Sequence, residues 1–274
     1  MAGSLVVADL GTLAGELVVF GGPCSNLQAT GALIDAAARR GIPADRCICT
    51  GDTVAYCADP AATVAALRTF GCAVVAGNCE RQLAEGAADC GCGFDAGSVC
   101  DRLSAGWYGH AARELGREDR AWMAGLPDIV TFRHGTRRCA AIHGGVTAIN
   151  RFLWPSSPAD AFAEEVAALC AAAGAVDTVF AGHCGLAFAR RVAGVTWVNA
   201  GAIGLPPHDG RPLARFAVVP ESGGVVFHRL AYDHEAAARA MQRAGLTQGY
   251  QDTLRTGIWP SEDILPPEMR RGVA

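Results

Sequence analysis

A single α/β domain is expected from two features of the sequence. Short runs of β-branched and apolar residues recur along the chain, each followed by a glycine-containing turn and often by a segment with helical spacing of apolar residues. The 274 residues are 51% hydrophobic and 18% charged, which is typical of a globular protein with one large core. Strand, turn, helix and strand in this rhythm predict a sheet with right-handed crossovers.

The individual elements follow from the apolar runs and from the capping residues between them. Residues 26–40 have leucines and alanines at near-helical spacing, which predicts the first helix. Asp59 and Pro60 are typical of a helix cap followed by proline at the first helical position, and that helix ends at Gly71. Residues 157–174 repeat this pattern. The predicted strands are 16–20, 46–50, 72–76, 138–142, 178–181, 195–198, 216–219 and 225–230.

Two segments depart from this rhythm. Residues 86–106 are rich in glycine, aspartate and cysteine, and they predict a long insertion without regular structure over one edge of the sheet. From about residue 234, a helix and a proline-punctuated tail form a C-terminal extension. The sequence shows no internal repeat and no linker, so one domain over residues 1–274 is expected.

The composition excludes several classes of function. All 23 basic residues are arginine, which excludes a lysine Schiff base, a P-loop lysine and a lysine-dependent kinase site. The formal charge of −4 gives no indication of a basic surface that would bind nucleic acid. Because no targeting segment and no run of about 18 uninterrupted apolar residues is present, we expect a cytoplasmic protein without a membrane partner.

Polar residues suited to metal binding follow several of the predicted strands. Asp52, Asn78, His143 and His183 each come just after an apolar run. Because loops at the carboxyl ends of strands converge on one crevice, these side chains are expected to meet. One carboxylate, one amide and two imidazoles are ligands for a divalent ion such as Zn, Mn or Fe(II).

The motifs around these residues resemble those of the calcineurin-like metallophosphoesterases, specifically the small bacterial branch. That family has D-x-H-x-N, G-D-x-x-x-Y, G-N-H-D/E, H-G and G-H-x-H in this order, followed by a segment like N-P-G-S-V-G. The counterparts are G-P-C-S-N at 22–26, G-D-T-V-A-Y at 51–56, G-N-C-E at 77–80, H-G at 143–144, G-H-C-G at 182–185 and N-A-G-A-I-G at 199–204. The resemblance covers about residues 16–212. It implies a four-layer αββα sandwich with a two-metal centre, in which a metal-bridging hydroxide attacks phosphorus.

The resemblance implies that one of the two metal sites is intact. Asp52 would be the bridging ligand, and Asn78, His143 and His183 would complete that site. The predicted catalytic residues are Asp52, Asn78, His143 and Cys79. Cys79 stands where the family has a histidine that faces the substrate phosphate.

The other metal site has lost its usual ligands. The family's first aspartate is Gly22, its first histidine is Cys24, and the last histidine of G-H-x-H is Gly185. These departures remove hard or borderline ligands and place thiols near the same crevice. Thiolates select Zn, Cu(I) or an iron–sulfur cluster over Mg or Mn.

The 12 cysteines divide into two groups by position. One group lies within predicted strands or on a helix and is expected to fill the core: Cys47, Cys49, Cys72, Cys139 and Cys170. The other group occupies loops at or near the presumed site and supplies candidate metal ligands: Cys24, Cys57, Cys79, Cys90, Cys92, Cys100 and Cys184. Inert thiols at a decayed site are the alternative for the second group.

Four more polar residues are candidates for substrate contact, namely Asn26, Arg81, Asn199 and His208. Asn26 and Asn199 are also suited to orienting loops, and Arg81 to exposure on the surface. The expected partner is a small-molecule phosphate ester or a related metabolite, while the specific substrate and the oligomeric state stay open.

Three functions are compatible with these features. The first is a metal-dependent phosphoesterase whose centre includes thiolates. The second is the same fold holding an iron–sulfur or mixed metal–thiolate cluster, with redox or other non-phosphatase chemistry. The third is a non-catalytic metal-binding protein. The expected cofactors are therefore divalent Fe, Zn or Mn ions, or an iron–sulfur cluster.

Overall fold

Two β-sheets form the centre of the molecule, which a computed structural model describes over residues 5–271. The strands are β1 (Val7–Leu13), β2 (Leu17–Phe20), β3 (Cys47–Cys49), β4 (Ala73–Val74), β5 (Ile129–His134), β6 (Arg137–Ala141), β7 (Thr178–Ala181), β8 (Ala187–Val192), β9 (Val195–Ala200), β10 (Ala214–Val219) and β11 (Val226–Leu230). One sheet has six strands in the order β1-β5-β6-β7-β9-β8, and the other has five in the order β11-β10-β2-β3-β4.

Helices cover the outer faces of both sheets. They are α1 (Leu27–Arg39), α2 (Pro60–Phe70), α3 (Asn78–Glu85), α4 (Val99–Glu114), α5 (Arg117–Ala124), α6 (Ala159–Ala173), α7 (His234–Arg243) and α8 (Tyr250–Thr256). Leu33 of α1 and Leu67 of α2 pack against Phe20 of the five-stranded sheet. Phe162 of α6 packs against Trp197 of the six-stranded sheet. The predicted αββα sandwich is confirmed.

The alternation of side chains along a strand explains why the two sheets stack. In β2, Val18 and Phe20 face the helices, whereas Leu17 and Val19 face the opposite sheet. The inner layer between the sheets is mainly apolar around Phe132 of β5, which stacks on Phe180 with ring centroids 6.1 Å apart. Burial of these two faces against each other is the main source of stability for a sandwich of this kind.

The structure corrects the predicted insertion. Residues 86–98 have no helix or strand, but helix α4 begins at Val99 with Ser98 as its N-cap, because the Ser98 hydroxyl accepts from the Asp101 amide. Trp107 and Tyr108 of α4 are buried in a core cluster that also contains Tyr250 and Leu254 of α8. The insertion and the C-terminal extension therefore share one apolar cluster. Within residues 5–271, no helix is both long enough and apolar enough to cross a membrane.

Candidate metal centre

The loops that follow β3, β4, β6 and β7 bring four ligand atoms together. His143 Nε2 lies 3.0 Å from Asn78 Oδ1, 3.1 Å from His183 Nδ1 and 3.4 Å from Asp52 Oδ2. His183 Nδ1 lies 3.9 Å from the same Asp52 oxygen. All four residues were predicted to meet, and they meet at the edge where strands of both sheets end. Within residues 5–271, Asp52, His143 and His183 form the one group of three Asp, Glu, His or Cys residues with ligand atoms all within 4.8 Å.

Hydrogen bonds orient the ligand atoms of His143 and Asn78 toward a common point. His143 Nδ1 lies 2.7 Å from the Thr50 carbonyl, to which it donates, so that Nε2 is left as the ligand atom. The Asn78 amide donates to the Cys90 carbonyl at 2.8 Å, which directs its Oδ1 toward His143. Asp52 Oδ1 is buried without a hydrogen-bond partner. This donor set fits a divalent metal ion, because a cation satisfies all of these acceptors at once.

The backbone of the metal-binding loops is held in an unusual conformation. Asp52 has φ of 53° and His183 has φ of 63°, in the left-handed region that residues with a Cβ rarely adopt. Gly51, between β3 and Asp52, has φ of 93°, and a Cβ on it would lie 2.8 Å from His143 Nδ1 and from the Gly77 amide. Glycine at position 51 is therefore required for the close approach of the two ligand loops.

Glu80 holds the Asp52 loop in place, a role that the sequence analysis did not assign. Its fully buried carboxylate accepts from the amides of Gly77 at 2.8 Å, Asp52 at 2.9 Å and Val54 at 3.2 Å. Burial and the neighbouring Asp52 raise the pKa of Glu80 to about 7. The available signal was its position three residues after the helix-capping Gly77, as in a capping box.

The charges within the site are strongly coupled. Burial opposes the ionised form of Asp52, but His143 and His183 outweigh this effect and hold the pKa of its carboxyl well below the usual range. Burial also opposes protonation of His143, whose pKa is nevertheless raised by Asp52. The pKa of His183 is lowered, mainly by burial. Protonated His143 thus compensates the Asp52 carboxylate, whereas His183 favours its neutral form.

The positions of the second metal site are occupied by other groups. A Cβ on Gly22 would lie 3.0 Å from Cys24 Sγ and from Ala202 Cβ, so an aspartate at this position would crowd both side chains. A Cβ on Gly185 would lie 3.7 Å from the Trp259 ring, so a histidine side chain would meet the indole. The space next to Asp52 on this side is a cavity with Gly22, Cys24, Gly185 and Trp259 among its lining residues.

The seven cysteines predicted to lie in loops near the site are all buried, but they contact different neighbours. Cys24, Cys57, Cys79, Cys90 and Cys92 belong to one core cluster, in which Cys90 and Cys92 are bonded to each other. The Asn78 amide nitrogen lies 3.3 Å from Cys92 Sγ and 3.5 Å from Cys79 Sγ. Cys184 Sγ lies 3.1 Å from the Asn199 amide nitrogen, and Cys100 contributes to the cavity wall.

The thiols near Asp52 favour their protonated form. Burial and then the Asp52 charge raise the pKa of Cys24 and of Cys79 well above the ordinary value. Burial raises the pKa of Cys184 to about 12. Among the cysteines expected to fill the core, Cys47, Cys49 and Cys139 are buried, whereas Cys72 and Cys170 are half-buried.

The candidates for substrate contact all have partners within the protein. Asn26 caps α1 by accepting from the Ala29 amide at 3.0 Å and donates to the Gly204 carbonyl at 2.9 Å. Asn199 donates to the Gly182 carbonyl and accepts from the Gly201 amide.

His208 lies 2.6 Å from a Glu262 oxygen and accepts from the Trp259 amide at 2.7 Å. Arg81 pairs with Asp128 at 2.7 Å. The geometry favours a loop-positioning role for these residues over the predicted contact.

Arg81→Ala tests this distinction directly. Arg81 also donates to the Leu126 carbonyl at 2.8 Å, and it does not line the cavity. We therefore expect kcat/KM for a phosphoester to stay within about twofold of wild type, with a loss of stability of about 1 kcal/mol because a partly exposed ion pair contributes little. Steady-state kinetics and denaturant unfolding measure the two effects. A drop in kcat/KM of tenfold or more without a change in fold would restore the substrate-contact role.

Two stacked sheets between helices, with carboxylate, amide and imidazole ligands at the strand ends, define a metallophosphoesterase fold. The chain belongs to the calcineurin-like phosphoesterase superfamily, whose domain matches residues 24–222. No curated protein sequence matches it significantly.

Two solved structures illustrate the similarity of fold. A hypothetical protein, PH1004, from Pyrococcus horikoshii OT3 aligns with a TM-score of 0.71 and 17% identity over 89% of this chain and 99% of its own. A metallophosphoesterase from Sphaerobacter thermophilus aligns with a TM-score of 0.66 and 21% identity over 90% of this chain and 100% of its own. At these identities the likeness concerns the fold alone.

Proposed function

We propose that the protein is a phosphoesterase that uses one divalent metal ion held by Asp52, Asn78, His143 and His183. The observation that carries the proposal is the convergence of four ligand atoms, two of them oriented by hydrogen bonds, in a chain of the calcineurin-like phosphoesterase superfamily. When bound, such an ion polarises a phosphoryl oxygen and supplies a nucleophilic hydroxide at neutral pH. The expected substrate is a small phosphate ester.

The protein groups around the ion determine how strongly it can accelerate hydrolysis of the ester. Thr50 fixes the His143 tautomer, and Glu80 fixes the Asp52 loop, so the ligands need little reorganisation. Cys79 stands where the family has an imidazole facing the substrate, and its raised pKa makes it a weak proton donor. Loss of a positioned general acid costs roughly 10² to 10⁴ in rate. We therefore expect turnover to be fastest with esters whose leaving group needs no protonation.

The thiolate-containing centre expected from the sequence is a second candidate. Its support is the position of Cys24 and Cys79, which lie close enough to Asp52 for its charge to affect both thiols. A thiolate-bound ion or an iron–sulfur cluster would require these thiols to lose their protons when the metal binds. A non-catalytic metal-binding protein is the third candidate, with the same ligands and no turnover.

Metal analysis together with hydrolysis distinguishes the three candidates. For protein purified without oxygen, we expect about one Zn, Mn or Fe ion per chain and no acid-labile sulfide, because a single ligand cluster is complete. Hydrolysis of bis(p-nitrophenyl) phosphate should be lost with a chelator and restored by Mn²⁺ or Zn²⁺. Sulfide with a brown colour would favour the cluster instead. One bound ion without hydrolysis of any monoester or diester would favour the non-catalytic protein.

A further inference from the structure

The cavity beside Asp52 and His183 has aromatic walls that a metal centre does not require. It encloses about 70 Å³, and six aromatic side chains line it: Tyr56, Phe94, Phe152, Trp154, Tyr250 and Trp259. Phe152 lies against His183 with ring centroids 4.0 Å apart and stacks on Trp154 at 5.3 Å. Tyr56 packs on Tyr250 at 4.6 Å. One aromatic wall therefore starts directly at a metal ligand.

The charge of this cavity, which we call the aromatic cavity, is unusual for a phosphate site. Asp52 is the one carboxylate among its lining residues, and none of these residues is arginine. The chain also has no lysine. A phosphoryl group that entered would lose hydration without gaining a side-chain cation, whereas an uncharged ester group loses little. The lining thus favours an apolar ester group, and a diester has such a group besides its leaving group.

The C-terminal segment fixes one wall of the aromatic cavity. The Trp259 indole donates to the Pro206 carbonyl at 2.8 Å, and its backbone amide donates to His208 at 2.7 Å. His208 in turn pairs with Glu262. These contacts hold the indole next to Gly185 before any ligand binds, which reduces the entropy lost on binding. The wall is preorganised by contacts within the C-terminal segment and with Pro206 and His208.

We propose that the aromatic cavity binds an apolar ester group of a phosphodiester monoanion, in the space where the family places its second set of metal ligands. This assignment rests on the proposed function, since the phosphate would lie at the Asp52 and His183 end. The enclosed volume of about 70 Å³ is well below the roughly 150 Å³ of an apolar cavity that accepts benzene, so it limits the enclosed part of the group to a short branched chain or to one edge of a ring. Discrimination then comes from burial of this second ester group, which a monoester lacks.

Two diesters with the same leaving group test the proposal in the metal-loaded protein. We expect kcat/KM for phenyl p-nitrophenyl phosphate to exceed that for methyl p-nitrophenyl phosphate by about threefold or more, as burial of one edge of a ring predicts. The monoester p-nitrophenyl phosphate should be the poorest of the three. In Trp259→Ala, the ratio of phenyl to methyl diester should fall toward unity, while Trp122→Phe, which changes a tryptophan outside the cavity, should keep it.

Binding of a neutral ring to the metal-free protein provides a readout that is independent of turnover. We expect anisole to bind, as measured by saturation-transfer NMR, and to bind at least about fivefold more weakly to Trp259→Ala. Ile264→Trp, which fills the aromatic cavity from another wall, should have the same effect. Circular dichroism confirms that each variant is folded.

The two sets of measurements separate this proposal from the proposed function. Equal kcat/KM for both diesters with no anisole binding would overturn the aromatic cavity as a binding site and leave phosphoester hydrolysis intact. Saturable anisole binding that both variants weaken, with no hydrolysis of either diester, would overturn the proposed function and support an apolar binding site. Anisole binding that neither variant changes would place the ring elsewhere and overturn the assignment.

Discussion

His143→Ala is expected to lose bound metal and phosphoester hydrolysis together. The substitution removes the one ligand atom that contacts the other three, at 3.0 Å, 3.1 Å and 3.4 Å. Partners that merely orient a ligand already contribute roughly 10- to 100-fold in metal affinity, so loss of a ligand should cost at least about 100-fold. Metal titration by calorimetry and hydrolysis of bis(p-nitrophenyl) phosphate measure the two losses.

The control must separate the loss of a ligand from a general loss of structure. His234 begins helix α7 and belongs to no group of metal ligands in residues 5–271, so His234→Ala should keep both metal affinity and activity. His143→Ala also leaves the Thr50 carbonyl without its donor, which costs about 1 to 3 kcal/mol of stability. Folding is therefore checked by circular dichroism. Unchanged metal affinity in folded His143→Ala would contradict the ligand assignment.

The candidate metal site could be predicted from the sequence because its residues stand in short motifs after strands. Asp52, Asn78, His143 and His183 each follow a strand that the apolar runs indicate, and parallel strands end at one edge. The convergence of these four residues depends on local spacing and on the order of strands, and their proposed ligand role follows from the motifs of the family. Both are encoded close to the residues concerned.

The aromatic cavity could not be predicted in the same way. Gly185 and Gly22 show in the sequence that ligands are missing, but nothing near them indicates what fills the space. Trp259 reaches Gly185 from the C-terminal extension, through contacts with Pro206 and His208 that are distant in sequence. Such contacts depend on how the extension packs onto the sandwich. Short motifs carry no information about that packing.

Several of the elements that the sequence analysis missed have weak or mixed patterns, although the missed strand β5 has the plain run Ile-Val-Thr-Phe at 129–132. Strand β1 lies at the edge of its sheet, contains Asp9 and Gly11, and is exposed along most of its length, so it has no apolar run. Strand β8 at the other edge contains Arg190 and Arg191. Helix α4 carries glycines among its aromatic residues, which obscures the helical spacing. Packing against neighbours, rather than local propensity, decides these segments.

Glu80→Ala is expected to destabilise the fold and to weaken metal binding. Three buried backbone amides, those of Asp52, Val54 and Gly77, donate to this one carboxylate. Because each unsatisfied buried donor costs about 1 to 3 kcal/mol, the free energy of unfolding should fall by about 3 kcal/mol or more. The Asp52 loop would also lose its support, so metal affinity should fall by about 10- to 100-fold. Urea unfolding and calorimetric titration measure the two effects.

A matched control is available on the same helix. Glu85 ends α3 and is exposed, so Glu85→Ala should change the free energy of unfolding by no more than about 0.5 kcal/mol and leave metal affinity unchanged. A purely structural role for Glu80 would lower stability in Glu80→Ala while the folded fraction still bound metal with wild-type affinity. A positioning role requires that the affinity itself falls under conditions where the variant is fully folded. The measured affinity of folded Glu80→Ala therefore decides whether the buried carboxylate supports the fold alone or also the geometry of the Asp52 ligand.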